Sequence, residues 1–321
     1  MRHFELALSV VGGLAACYIA AAPLQAQSPQ FTRPQWTSDG ELQLNLQAAG
    51  GQRFLIQWSE DLRNWHGLAT AASTGMVQHV DSAVPFVATR FYRSVQVPTN
   101  ATTGDHIPTD QGDAVMRHFN HATFLLWWNG LAIYVDPTST TFVSQGYPLA
   151  SLILVTHNHS DHYNRNALNA LTNADTVLVV SSNVYASLVS AGSPLTNRTV
   201  RLLNGQSTEQ RGVHIEAVPA SNNNHPLGAG NGYIVNMGGR RLYISGDTSS
   251  GIDRSRITNI DVAFVCCDGQ FNMGPPEAAQ FVRAIRPKVV YPYHYNQANP
   301  VAFKTQVGRD LGIEVRLRPW E

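Results

Sequence analysis

The segment His157-Asn158-His159-Ser160-Asp161-His162 follows directly on the fully apolar run Leu152-Ile153-Leu154-Val155, and it constrains this chain more than any other feature. A short apolar run bounded by polar residues reads as a buried strand. On an extended backbone alternate side chains share a side, so His157 and His159 point together. Asp161 and His162 lie past the next turn and can serve a neighbouring centre. Imidazole and carboxylate are donors that suit zinc and similar divalent ions. The fold therefore has to end a buried strand at a polar, ligand-rich edge.

Three further candidates stand in comparable places. His225 follows the strand-like Val213–Val218 in the polar loop Asn222-Asn223-Asn224. Asp247 ends Leu242-Tyr243-Ile244-Ser245-Gly246, and His294 ends Lys288-Val289-Val290-Tyr291-Pro292-Tyr293. Layered α/β folds build sites where several strands end together. An isolated histidine at a strand end is ordinarily structural, and His66, His79, His118 and His214 are read that way.

The surrounding pattern supplies such a fold. Phe124–Trp128 and Leu131–Val135 flank Asn129-Gly130, a two-residue hairpin signal. A helical stretch at 166–173, a strand at 176–180 and a helical stretch at 184–189 follow Val155. Tyr233–Val235 and Leu242–Ile244 bracket the Gly238-Gly239 turn. Two helices close the chain. One opens near Pro276; the other opens at Asn299-Pro300, carries Phe303, Val307 and Leu311 on one face and stops at Gly312. Hairpins mixed with strand–helix units predict an α/β (α+β) layered domain over 113–321. Before it, 28–98 has short aromatic and β-branched runs such as Phe54–Trp58 and Phe91–Val97, predicting a small all-β module. Residues 99–112 are polar, punctuated by Pro and Gly, and read as a linker.

Residues 1–26 read as an export signal, with Arg2 and His3 before an apolar stretch and a small residue, Ala26, at the cleavage point. That places the product in the periplasm or outside the cell. Leu14-Ala15-Ala16-Cys17 has the form of a lipobox, so membrane attachment through a lipidated Cys17 stands as an alternative. Apart from Cys17, the cysteines are the adjacent Cys266-Cys267, which make no disulfide framework and read as a buried strand end. Lys plus Arg and Asp plus Glu number 22 each, and charged residues are 14% of the chain. This balance argues against a nucleic-acid partner held by phosphate contacts and leaves a small-molecule substrate. Nothing in the sequence addresses oligomeric state.

The region from Asp113 to Tyr295 resembles the metallo-β-lactamase-fold metal-dependent hydrolases, and within them the group similar to ascorbate-6-phosphate lactonase. The resemblance is carried by Asn120–Leu125, Val135-Asp136-Pro137, Thr156–His162, His225-Pro226-Leu227-Gly228, Gly246-Asp247-Thr248, the Phe271-Asn272-Met273 and Glu277-Ala278-Ala279 stretch, and Tyr291–Tyr295. It implies a four-layer αβ/βα sandwich with two metals at one edge. His157, His159 and His225 would hold the first metal, Asp161, His162 and His294 the second, and Asp247 would bridge both. Two metals roughly 3.5–4 Å apart can share a hydroxide that is nucleophilic near neutral pH, and Asp161 can pass a proton to the leaving group. His121 and Asp136 match family positions that are not ligand positions, and orienting or purely structural roles are both open for them.

The resemblance thus implies an enzyme that cleaves an ester, lactone or phosphodiester with two divalent ions, zinc by default and manganese or iron as compatible substitutes. Asp247 disfavours a true β-lactamase, whose bridging position holds another residue type, and His159 disfavours the di-iron redox branch. A phosphodiesterase or phospholipase D-like activity, or a non-catalytic metal-stabilised binding protein, are the competing readings. The small module at 28–98 resembles the small β-sandwich modules attached to exported bacterial enzymes, with a spacer or a surface- or carbohydrate-binding role and simple packing equally open. The loops 138–149 and 222–232 are the expected walls of the substrate site.

Overall fold

The computed structural model describes residues 28–320, together with the backbone of two short strands, Leu8–Val11 and Leu14–Cys17, paired antiparallel. The export-signal reading falls on 1–26, most of which, including the cleavage point at Ala26, lies outside the described residues. Two compact units make up the chain: Met1–Pro108 with Asp113–Arg117, and Thr109–Gly112 with His118–Glu321.

Among its described residues the first unit is built of β-strands, apart from one short 3-10 turn at Val84–Phe86. Leu42–Gln47 pairs antiparallel with Met76–Asp81, and Arg53–Ser59 pairs with both His66–Ala72 and Phe91–Val97. Leu42, Leu44 and Leu46 alternate along one strand and meet Phe54, Ile56, Leu68 and Tyr92 in a single apolar cluster, the period-2 pattern of a strand buried on one face. Part of the segment expected to be a linker is a strand. Gly104–Ile107 pairs with both His66–Ala72 and Ala114–Asn120. Apolar periodicity missed it because polar partners hold it: His106 lies 2.9 Å from the Thr70 hydroxyl and 2.8 Å from Asp113.

The second unit is layered. Its first sheet runs in the order Thr199–Arg201, Val177–Val180, Leu152–Val155, Leu131–Val135, Thr123–Trp128. The first four of these are parallel, and the last two form the expected antiparallel hairpin. Asn129 and Gly130 take φ of 49° and 77° at its turn, the left-handed pair that a two-residue hairpin of this twist requires. The second sheet has seven strands, in the chain order Ser207–Gln210, Val213–Asn222, His225–Met237, Arg240–Ile244, Val262–Cys266, Val289–Tyr293 and Glu314–Val315. The two sheets face each other. Phe124 stacks on Phe264 at 4.3 Å, and the buried Tyr233 hydroxyl crosses to the Val155 carbonyl at 2.8 Å.

Helices cover the outer faces. Helix α1 (Arg165–Leu171) is capped by the Asn164 side chain, which accepts from the amides of Asn166 and Ala167. With α2 (Ser182–Ser190) it buries Leu168, Leu171, Val184 and Leu188 against Ile153, Val155, Leu178 and Val180. On the other side α3 (Pro275–Ile285) brings Phe281 beside Tyr243, and α4 (Pro300–Val307) packs next to α3. The result is the expected four-layer αβ/βα sandwich. One boundary differs. Helix α4 ends at Gly308, which turns the chain at φ 67°, while Arg283 grips Asp310 at 2.6 and 2.7 Å. Leu311 therefore lies outside the helix, although its spacing continues the helical period.

Candidate metal centre

All seven candidate ligands arrive at one edge of the second unit. His157 and His159 follow the Leu152–Val155 strand, and a turn in which the amides of His162 and Tyr163 both reach the His159 carbonyl brings Asp161 and His162 round. Asp247 follows Arg240–Ile244, and His294 follows Val289–Tyr293. Gly246 takes φ 58°, and a β-carbon there would press on the Asn231 carbonyl at 3.0 Å and on Thr156 at 3.1 Å, so a larger residue would displace Asp247. His225 departs from expectation: it is the first residue of the His225–Met237 strand, paired with Asn222 across a tight turn. Of the three asparagines that read as loop, Asn222 ends one strand of a long hairpin, and Asn223 and Asn224 are its bend.

The donor atoms form three overlapping groups. His157, His159 and His225 are one; His121, Asp161, His162 and His294 are another; His157, His162 and Asp247 join them. Within each group the donors lie within 4.8 Å of one another. Asp247 Oδ1 is 3.2 Å from Nε2 of both His162 and His294, and its Oδ2 is 3.9 Å from Nε2 of His157. Asp161 Oδ2 is 3.4 Å from Nε2 of His294 and 3.8 Å from that of His162.

A ring of supporting contacts orients these side chains. Nδ1 of His162 lies 2.8 Å from Asp136, whose carboxylate also accepts from the Thr156 amide and hydroxyl, each at 2.8 Å. Nδ1 of His294 lies 3.2 Å from Asp268, and Nε2 of His225 lies 3.0 Å from the Asp247 carbonyl. His121 reaches Asp161 at 3.0 Å, and its ring is 3.8 Å from that of His294. His121, Asp136 and His294 all have positive φ, 52°, 44° and 48°. Such backbone is costly for residues other than glycine and concentrates at functional sites. Here the His294 amide donates to the His121 carbonyl, so two strained residues hold each other.

The electrostatics follow the geometry. Burial and the neighbouring His162 push the His157 imidazole well below its usual range, which favours the neutral, ligating form. Burial alone would raise the Asp247 carboxyl, but His162 and His294 hold it far below the usual carboxylate range. Burial likewise opposes ionisation of Asp268, yet His294 and the amides of Asn272, Phe271 and Gln270 bring it down to about 2.

The residues present fit a divalent cation. Nε2 of His162 and of His294, and Oδ1 of Asp247, are buried with no hydrogen-bond partner, although they face one another. Leaving a buried polar atom unsatisfied costs about 1–3 kcal/mol, and a cation among these atoms removes that cost for all of them. The donor set, nitrogen and oxygen throughout, suits zinc and its neighbours.

The sequence left Asp136 and His121 undecided, and the structure puts both against candidate ligands. It missed Asp268, whose signal was a carboxylate two residues past the end of the buried Val262–Cys266 strand. His66, His79, His118 and His214 stay outside every donor group among the described residues. Beside the cluster opens a cavity of about 900 Å³ lined in part by Thr138, from the expected loop 138–149, and by Asn224 at a hairpin turn, since most of the expected loop 222–232 is strand. Asn120, Phe271 and Asn296 line it too and were not foreseen.

This sandwich, with a His/Asp cluster at its strand ends able to bind metal, defines a metal-dependent hydrolase of the metallo-β-lactamase fold. The chain belongs to that superfamily: residues 115–294 match the Beta-lactamase superfamily domain. It is similar to the UPF0173 metal-dependent hydrolase of Thermococcus onnurineus, 34% identical over 228 residues that span 64% of this chain and 97% of the relative. Among solved structures, a Parabacteroides distasonis protein assigned as a metal-dependent hydrolase superposes with a TM-score of 0.60 at 31% identity, over 67% of this chain and 97% of that one. Igni18, a metallo hydrolase of Ignicoccus hospitalis, shares the fold with a TM-score of 0.54 at 23% identity, over 63% and 94% of the two chains.

Proposed function

We propose that the protein is an exported hydrolase that works with two divalent ions, zinc by default, and cleaves an ester, lactone or phosphodiester bond. The observation that carries this reading is the position of Asp247, whose two oxygens face two separate sets of donors. His157, His159 and His225 would hold one ion, Asp161, His162 and His294 the other, and the Asp247 carboxylate would span both, which a single imidazole nitrogen cannot do. When bound, the ions would supply Lewis acidity and a water acidic enough to act at neutral pH. Asp161 is half exposed at the cavity, where its carboxylate can relay a proton to the departing oxygen. The reaction adds the water oxygen to the carbonyl carbon or phosphorus, breaks the bond to the leaving oxygen, and returns a proton to that oxygen.

The test is elemental analysis of the purified full chain alongside turnover of a p-nitrophenyl ester, a lactone and bis(p-nitrophenyl) phosphate. Two ions per chain and hydrolysis of at least one probe are expected. One ion or none sinks the dinuclear reading, and two ions without turnover sinks the hydrolytic one.

A further inference from the structure

We infer that the cavity selects an uncharged, hydroxyl-bearing substrate, an inference that rests on the hydrolase reading above. Apart from His121 and the candidate ligands, its lining is Asn120, Asn224, Asn296, Thr138, Ser160 and Phe271. No Lys or Arg lines it among the described residues. A phosphate or carboxylate remote from the scissile bond needs cationic donors to replace its hydration. In this cavity, away from the candidate ligands, it would meet amides, hydroxyls and the His121 imidazole, which already contacts the half-exposed Asp161 carboxylate at 3.0 Å.

Amide and hydroxyl side chains both donate and accept, which is what a substrate hydroxyl does in turn. The side-chain amides of Asn120 and Asn224 are engaged by no other group among the described residues, so both are available to a ligand. Phe271 is 50% exposed and sits on the cavity wall. Its loop is fixed from beneath, since the Asp268 carboxylate accepts from the amides of Gln270, Phe271 and Asn272. A held aromatic face beside hydrogen-bonding amides matches a molecule with both C–H and O–H surfaces. The volume of about 900 Å³ admits one of ordinary small-molecule size.

The experiment compares three six-membered lactones on the metal-loaded full chain: glucono-1,5-lactone, its 6-phosphate, and δ-valerolactone, which lacks the hydroxyls. The neutral hydroxylated lactone is expected to exceed each of the others in kcat/KM by about tenfold, the effect of one unmatched polar group. Asn224→Arg, on an exposed turn, is expected to raise kcat/KM for the 6-phosphate and narrow its deficit. Equal or better turnover of the 6-phosphate or of δ-valerolactone by the wild-type protein overturns the inference while leaving the hydrolase reading intact. If no lactone is cleaved, lactone hydrolysis fails separately from the ester and phosphodiester options, and selectivity is read from binding of gluconate and 6-phosphogluconate. Gluconate raising the melting temperature more than 6-phosphogluconate supports the inference; the reverse, or no shift with either, overturns it.

Discussion

Nδ1 of His162 stands 2.8 Å from Oδ2 of Asp136, and both side chains are wholly buried. The carboxylate can only accept, so it fixes the proton on Nδ1 and leaves Nε2 free for a metal. In Asp136→Asn an amide nitrogen facing His162 would donate to Nδ1 instead and move the ring proton to Nε2, the ligating atom. Metal affinity is expected to fall by about 10–100-fold with the fold retained, as judged by circular dichroism. Competition with a chromophoric chelator measures it. Unchanged affinity would remove Asp136 from the site.

Asp247→Ala separates a backbone role from a side-chain role. Nε2 of His225 contacts the carbonyl of residue 247, which alanine keeps, so the His157, His159 and His225 group should survive. The His162 and His294 group loses its partner at 3.2 Å. The variant is expected to retain at most one ion and to hydrolyse probes no faster than buffer. Two ions, or surviving turnover, would show that Asp247 does not bridge.

Much of this site was legible because its signals are local. An apolar run followed by His157–His162 places four donors at a strand end, and Asn129-Gly130 and Gly238-Gly239 mark hairpins by the backbone they need. What stayed hidden depends on distant partners. Nothing near Asp268 announces His294, and the partner of Asp136 lies 26 residues away. His225 read as a loop residue because three asparagines precede it, yet pairing with the Val213–Asn222 strand makes it the start of a strand. Gly104–Ile107 is hidden for a related reason: His106 is buried by its bonds to Thr70 and Asp113, not by apolar periodicity. Helix α4 shows the opposite error, a helical spacing that runs on to Leu311 after Gly308 has ended the helix.

The Tyr233 hydroxyl ties the two sheets together just behind the centre, two residues before His157. Tyr233→Phe keeps the ring and its packing but removes the donor to the Val155 carbonyl. The expected cost is about 0.5–1.5 kcal/mol, seen as a lower urea midpoint with unchanged slope. Metal content is expected to stay the same. An unchanged midpoint would mean that the cross-sheet bond contributes nothing net.

Metal removal should be felt by the whole second unit, because the donors come from the ends of both sheets. Without a cation, the buried Nε2 atoms of His162 and His294 and Oδ1 of Asp247 face each other unsatisfied. A ligand at a hundred times its dissociation constant stabilises the folded state by about 2.7 kcal/mol. For a unit of this size each kcal/mol moves the melting temperature by about 2–4 °C. Dialysis against a chelator is therefore expected to lower the melting temperature by about 5–10 °C, with restoration on adding back zinc. Asp136→Asn, with its weakened affinity, should show a smaller drop on chelation than the wild-type protein at equal metal concentration. An equal drop in both would place the stabilising ion somewhere other than beside His162.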